Sequence, residues 1–218
     1  MYPPQMTSLP DDTFLTNQGA DARSEGRVLV IACGAIAREV LAVTEQNNWS
    51  HIDLTCLPAI FHNHPERIEG AVREAVAKHQ NTYDTIFVAY ADCGTGGLLQ
   101  NACAEMGVEM IAGPHCYSFF EGNDAFAARE EITAFYLTDF LVRQFDAFVW
   151  KPLGLDRHPE LRDMYFAHYE KLVYQAQTDD PDLTARAKSQ AERLGLPFER
   201  RMTGYGDLTT HLKSWAQT

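Results

Sequence analysis

Apolar runs alternate with amphipathic segments along the first half of the chain. RVLVIAC, HIDLTCLPAI, DTIFVAYA and VEMIAG are rich in the aliphatic and β-branched residues typical of buried strands. Apolar residues at helical spacing predict helices after Gly34, after FHNHP and over Leu98–Met106. Four strands alternating with helices predict an α/β fold with a Rossmann-like, doubly wound, mostly parallel sheet.

The pattern becomes mostly helical from about residue 123. Helical spacing predicts helices over 124–130, 134–150, 158–176 and 181–194, and TDDPDL has the form of a helix N-cap followed by proline. LPFERRMTG and DLTTHLKSW predict a last strand and a last helix. We therefore expect a single α/β domain over 27–218 with a helical C-terminal part. The polar segment 1–26 is expected to be a flexible N-terminal arm.

Composition narrows the range of partners. The 218 residues include 30 acidic and 18 basic side chains, for a formal net charge of -12. An acidic excess works against binding to nucleic acid or to anionic membranes. No apolar run approaches the roughly 20 residues of a membrane span, and the first residues lack the basic and apolar regions of a secretory signal. We expect a soluble, cytoplasmic protein that acts on a small-molecule substrate.

Three of the five cysteines fall at the ends of predicted strands. Cys33 ends the first strand, and Cys93 and Cys116 follow the third and fourth. The carboxyl ends of parallel strands meet at one edge of the sheet, where ligands bind in such folds. Cys56 lies within a strand and Cys103 within a helix, and core packing is the expected role of both. An odd number of cysteines without an export signal argues against a disulfide scaffold.

Three converging thiolates repel one another unless a cation neutralises them, which predicts a shared metal site. Zinc is the natural candidate, with iron or an iron–sulfur cluster as alternatives. Unrelated thiols or a redox pair are the competing interpretation. The fourth ligand is open among His62, His64 and His115, and His62 is preferred because it follows the second strand directly.

Residues beside the cysteines are further candidates. Gly34 and Gly94, each directly after a cysteine, let the backbone turn sharply so that the thiolate can face the open crevice, and both are candidates for cofactor binding. Asp92 and Glu39 are candidates for acid–base chemistry or for orienting a ligand. The DCGTGG segment precedes a helix and offers N–H groups to an anion, but it matches neither GxGxxG nor a P-loop.

These motifs resemble a family of uncharacterised proteins, the domain of unknown function 1638. The resemblance lies in IACGAIARE, FHNHPERI, YDTIFVAYADCGTGG, CYSFFEG and the YLT at 136–138, and covers roughly residues 28–140. The family pattern of Cys-Gly, His-Asn-x-Pro, Cys-Gly and a final cysteine falls on Cys33, His62, Cys93 and Cys116. Pro114 and His115 stand where the family has His-Asp, so the surroundings of the last cysteine differ.

The resemblance implies a role in corrinoid-linked one-carbon metabolism, with a corrinoid protein or a methyltransferase as partner. One hypothesis is a metal-dependent enzyme that transfers a methyl group or activates a thiol. A second is a non-catalytic accessory protein that binds a metal or a corrinoid. A third is a metal-free thiol oxidoreductase that uses two of the three strand-end cysteines.

Overall fold

The computed structural model describes residues 10–22 and 26–218. Contacts between Cα atoms group the chain into two compact units. The first contains the described residues up to Phe119 together with Gly206–Thr218, and the second contains Phe120–Tyr205. The expectation of one domain over 27–218 stays a prediction.

The first unit is built on a four-stranded, wholly parallel sheet with the strand order β2-β1-β3-β4. Its strands are β1 Val28–Cys33, β2 Ile52–Leu57, β3 Thr85–Ala89 and β4 Glu109–Met110. Its helices are α1 Asp12–Asn17, α2 Ala37–Gln46, α3 Ile68–His79 and α4 Leu98–Met106, and α10 Gly206–Trp215. Short 3-10 turns occupy Gly34–Ile36, Ala59–Asn63 and Pro65–Arg67.

The strand order confirms the predicted doubly wound sheet. After β2 the chain crosses over β1 to form β3 on its other side, so the order reverses between β1 and β3. All six residues of β1 are buried, as expected for a central strand covered on both faces. The topological switch point, where such folds bind ligands, therefore lies beyond the carboxyl ends of β1 and β3.

The C-terminal helix returns to this sheet. The ring of Trp215 stacks on Phe87 of β3 at 4.7 Å between centroids, and its Nε1–H donates to Glu109 at 2.9 Å. Helix α10 packs on α2, and α3 packs on α4. The last predicted helix is confirmed, and it completes the core of the first unit.

The predicted N-terminal arm falls partly outside the described residues, which exclude 1–9 and 23–25. In the described part, Asp11 caps α1 by accepting a hydrogen bond from the Phe14 N–H, and Leu15 is fully buried. Ala20 forms two backbone hydrogen bonds with Cys56, of 2.7 and 2.8 Å. This bridge covers part of the outer edge of β2, which would otherwise present unpaired backbone groups.

The second unit contains a separate three-stranded parallel sheet with the order β5-β6-β7. Its strands are β5 Ala134–Thr138, β6 Lys171–Ala176 and β7 Phe198–Met202. Its helices are α6 Asn123–Ala128, α7 Asp139–Arg143, α8 Arg162–Phe166 and α9 Pro181–Leu194, with a 3-10 turn at Pro159–Leu161 and a π-helix at Asp146–Trp150. A short helix α5, Ser118–Glu121, comes at the boundary between the two units.

The sheet corrects the prediction of helix for two segments of this part. Residues 134–138 and 171–176, predicted to begin one helix and end another, are the two strands β5 and β6. Short apolar runs do not distinguish a buried strand from a buried helix, and here pairing within the sheet decided the outcome. The capped helix after TDDPDL is confirmed, since Asp180 accepts hydrogen bonds from the N–H groups of Asp182 and Leu183 at 2.8 and 3.0 Å.

Candidate metal or thiol site

The three strand-end cysteines meet beyond β1 and β3, at the switch point. Cys33 is the last residue of β1, and its sulfur accepts a hydrogen bond from the Ala35 N–H at 3.5 Å. The sulfurs of Cys93 and Cys116 lie 3.1 Å apart. Charge on Cys33 acts on Cys116, and charge on Cys93 acts on Cys33, so the three sulfurs form one electrostatic cluster.

A hydrogen bond joins the sulfurs of Cys93 and Cys116. This bond is the largest cause that holds the pKa of Cys93 below its ordinary value. The same hydrogen bond, together with burial, raises the pKa of Cys116 well above its ordinary value. Within this pair Cys93 is therefore the cysteine that ionises more readily, and Cys116 the one that holds its proton more strongly.

Cys33 behaves differently because it is buried. Desolvation raises the pKa of its thiol to about 12, although the Ala35 N–H favours the thiolate. The side chain is 6% exposed. Without a cation nearby Cys33 is a neutral thiol at physiological pH.

The DCGTGG loop holds Cys93 in place through Asp92. The Asp92 carboxylate accepts hydrogen bonds from the Thr95 hydroxyl at 2.9 Å and from the N–H groups of Gly96 and Gly97 at 3.2 and 2.6 Å. These bonds, led by the one from Gly97, lower the pKa of Asp92. Cys93 adopts φ +47°, in the left-handed region, and its N–H donates to the Pro114 carbonyl at 3.0 Å. The position of Asp92 thus supports a loop-closing role.

The N–H groups of the glycine loop are partly used within the loop itself. Gly96 and Gly97 donate to Asp92, so these two groups are taken up by a carboxylate of the chain rather than offered to an external anion. Gly94 has φ +85°, a conformation that suits glycine after a cysteine that must turn sharply.

Gly34 has a packing role that the sequence did not indicate. A Cβ atom at this position would lie 2.6 Å from the Leu15 carbonyl oxygen and 3.1 Å from that of Leu57. The absence of a side chain therefore lets the end of β1 approach α1 and β2. Its expected role in holding a cofactor stays a prediction.

The three candidate histidines occupy different surroundings. His62 is exposed, although the protein around it lowers the pKa of its imidazole by desolvation and the charge of His115 lowers it further. His115 stacks on Tyr117 at 4.8 Å between centroids, and burial lowers its pKa while Asp92 opposes the shift. The exposed His64 lies 3.5 Å from the carboxylate of Glu66. His62 and His115 are therefore neighbours, and both have depressed pKa values that suit neutral metal ligands.

Glu39 and the two remaining cysteines lie in the interior. Glu39 is buried on α2, and its charge acts on Cys56. Burial is the largest cause of the raised pKa of Cys56, and it raises the pKa of Cys103 on α4 to about 11. Neutral, buried thiols of this kind fit the core-packing role expected for both cysteines.

One residue at the cluster was missed by the sequence reasoning. Tyr90 follows β3 directly and is 1% exposed. Burial raises the pKa of its hydroxyl, and charge on Cys33, Cys116 and Cys93 raises it further, so Tyr90 belongs to the same electrostatic cluster as the three sulfurs. The sequence carried no signal for this position; the strand register sets it, because Ala32 of β1 pairs with Ala89 of β3 and the next residues are Cys33 and Tyr90.

The cluster fits a thiophilic metal by donor chemistry but is not arranged around one. Within residues 10–22 and 26–218, no group of three or more His, Cys, Asp or Glu side chains has the spacing needed to hold a metal ion. Two thiolates on one tetrahedral zinc lie about 3.8 Å apart, given Zn–S bonds of about 2.3 Å. The 3.1 Å between the sulfurs of Cys93 and Cys116 is the spacing of a hydrogen-bonded pair, so metal binding would require these sulfurs to move apart.

Fold and site together define a parallel α/β protein with a cysteine cluster at the switch point of its first sheet. The family model described as protein of unknown function (DUF1638) matches residues 56–212, and the chain belongs to this family. The matched range includes His62, Cys93 and Cys116, whereas Cys33 lies before it. No curated protein and no solved structure matches the chain. In the described part of the chain, no helix is both long and apolar enough to cross a membrane.

Proposed function

We propose that the cysteine cluster is a metal–thiolate centre in which Cys33, Cys93 and Cys116 hold a metal ion, with zinc as the best match. The observation that carries the proposal is the convergence of three strand-end thiols at the topological switch point. His62 is the proposed fourth ligand, and its depressed pKa supports this role because a metal ligand must be neutral imidazole.

A bound divalent metal would hold thiols as thiolates at neutral pH and activate a thiol or methyl acceptor. Such a cation would also overcome the burial that keeps Cys33 protonated. The loop closed by Asp92 would keep Cys93 at the strand end. We propose transfer of a methyl or thiol group of a small molecule in corrinoid-linked one-carbon metabolism, with a corrinoid protein or methyltransferase as partner; this part rests on the family resemblance alone.

Metal content tests the centre directly. The protein is purified without chelator or affinity-tag nickel, and bound metals are measured by elemental mass spectrometry. We expect about one metal per chain, lost in Cys33→Ser, Cys93→Ser and Cys116→Ser. Cys103→Ser is the matched control, since Cys103 is a buried thiol on α4, and it should keep its metal.

A metal-free wild type, or metal retained in all three variants, would overturn the proposed centre. Turnover is tested separately by incubating the metal-loaded protein with methylcobalamin and a thiol. Stoichiometric metal without methyl transfer would leave a binding protein and contradict the enzyme.

A second candidate function is thiol–disulfide exchange by Cys93 and Cys116, which their 3.1 Å contact and unequal pKa values favour. The Cys93 thiolate would attack a partner disulfide and release one partner thiolate. Cys116 would then lose its proton and attack the Cys93 sulfur, releasing the second partner thiol and leaving a Cys93–Cys116 disulfide. The sulfurs would have to close by about 1 Å to reach the S–S bond length.

Redox titration with glutathione distinguishes this candidate from the metal centre. A reversible disulfide between the two cysteines in a metal-free wild type would support exchange. Irreversible or absent oxidation of the pair would rule it out.

A further inference from the structure

The second sheet has an open edge along β7. The Pro197 carbonyl and the Thr203 N–H are hydrogen-bonded to β6, so these alternate residues face that strand. The backbone N–H and C=O groups of Phe198, Arg200 and Met202 therefore point to the other side of β7. Among the residues that the structure describes, no group hydrogen-bonds to these outward backbone groups. An uncovered edge of this kind is ready to pair with another strand, whereas the edge of the first sheet is partly covered by the segment before β1.

The sequence of β7, FERRM, is complementary to itself when two copies run antiparallel and are centred on Arg200. Phe198 then lies opposite Met202 of the partner subunit, and the reverse pair forms on the other side of the centre. Glu199 lies opposite Arg201 of the partner subunit in the same way. An apolar pair and an oppositely charged pair thus occur on each side of the centre, and cross-strand pairs of both kinds stabilise a sheet.

Other registers lose this match. Pairing centred on Glu199 would place two carboxylates opposite each other, and pairing centred on Arg201 would place two guanidinium groups opposite each other, both in the closer type of antiparallel pair. The register centred on Arg200 also brings two like charges together. Each Arg200 guanidinium, however, is already hydrogen-bonded to Asp179 and Thr184 of its own chain, and it occupies the wider type of pair, with about 5.5 Å between Cα atoms.

Met202 adds exposed apolar surface at the same edge. Its side chain is 55% exposed, and Phe198 at the other end of β7 is half-buried. A single exposed methionine is ordinary, but methionine and aromatic residues are enriched in protein interfaces. Antiparallel pairing would cover Met202 with Phe198 of the partner subunit, so the apolar surface lies where the contact would form.

We propose that β7 is a dimerisation edge, which pairs antiparallel with β7 of a second copy of this chain about a two-fold axis at Arg200. The two three-stranded sheets then join into one continuous sheet. Each copy has one β7, so the contact uses this edge completely and closes at the dimer. The charges of β7 disfavour strands of other sequence, because an acid must meet each base. The proposal does not depend on the cysteine cluster or on a metal.

The test measures the oligomeric state of the full chain by sedimentation velocity between about 1 and 200 µM. Arg200→Pro removes an N–H that points away from β6, so the ladder within the chain is kept while pairing between copies is blocked. Arg200→Ala keeps this N–H and removes the like charges at the centre. Met202→Lys places a charge beside Phe198 of the partner subunit. Met164→Lys is its matched control, because Met164 is an exposed methionine on α8.

We expect a wild-type dimer, a monomeric Arg200→Pro and dimerisation of Met202→Lys that is weaker by about tenfold or more. Arg200→Ala should dimerise at least as tightly as wild type, and Met164→Lys should match wild type. Arg200→Cys should form a disulfide between the two copies under mild oxidation, because the register places its two Cα atoms within disulfide range. Urea unfolding checks that each variant is folded, and Met202→Lys decides the matter if Arg200→Pro does not fold.

A wild type that is monomeric throughout this concentration range would overturn the proposal. A folded Arg200→Pro or Met202→Lys that dimerises as tightly as wild type would also overturn it. A dimer in which Arg200→Cys forms no disulfide between copies would overturn the pairing about Arg200, and with it the proposed contact.

Discussion

Replacing Asp92 by alanine separates a loop-closing role from a catalytic one. The substitution removes the acceptor of three hydrogen bonds, from the Thr95 hydroxyl and from the N–H groups of Gly96 and Gly97. Hydrogen bonds to a charged group contribute about 1.5–3 kcal/mol each when buried. Because the carboxylate is partly exposed and the three bonds act on one loop, their contributions do not add fully, and we expect a total loss of about 2–4 kcal/mol.

The assay is urea unfolding of the metal-free protein, followed by zinc titration of the same variant. Asp92→Asn keeps one carbonyl acceptor and should lose roughly half as much stability. Glu45→Ala removes an exposed carboxylate on α2 and serves as the control, with an expected change within about 0.5 kcal/mol. Zinc affinity should fall together with stability in the Asp92 variants, since the loop positions Cys93.

A stability of Asp92→Ala within about 0.5 kcal/mol of wild type would refute this reasoning. A variant of normal stability and metal content that had lost turnover would instead point to Asp92 as an acid or base.

Three further predictions concern thiol reactivity, packing and acid stability. Iodoacetamide should alkylate Cys93 first in the metal-free protein, at a pH below that needed for an ordinary thiol, as followed by peptide mass spectrometry. Cys116→Ala should raise the pH at which Cys93 reacts, and Cys116→Ser, which keeps an O–H donor, should raise it less. Gly34→Ala should destabilise the protein by about 1–3 kcal/mol because its Cβ would meet backbone, whereas Gly70→Ala, with open space around it in α3, should be neutral or stabilising in the same urea assay. Hydrogen bonds from Arg201 lower the pKa of the Glu131 carboxyl below its ordinary 4.5. The ion pair therefore stabilises the fold above pH 4.5, and this stabilisation is lost as the pH falls through the folded-state pKa of Glu131. Glu131→Gln should therefore be less stable than wild type near pH 7 and lose less stability in acid; a parallel pH dependence of the two proteins would show that the ion pair does not contribute.

The local sequence determined the first sheet and the positions of its cysteines. RVLVIAC and DTIFVAYA are long enough in apolar residues to specify buried strands, and α4 has the predicted bounds Leu98–Met106. Once the strands are parallel, Cys33, Cys93 and Cys116 must lie toward the same edge, because strand direction alone places residues at the carboxyl ends. The family membership was likewise available from short motifs.

Only the tertiary structure decided the second sheet, the hydrogen bond between the sulfurs of Cys93 and Cys116, and the place of Tyr90. AFYLT and KLVYQA have no helix-specific or strand-specific period over so few residues, and pairing between segments far apart in the chain made them β5 and β6. In sequence Tyr90 is one more apolar residue after a buried strand. The β1–β3 register places Tyr90 beside Cys33, and burial keeps water away from its hydroxyl. Neither fact can be read from the sequence.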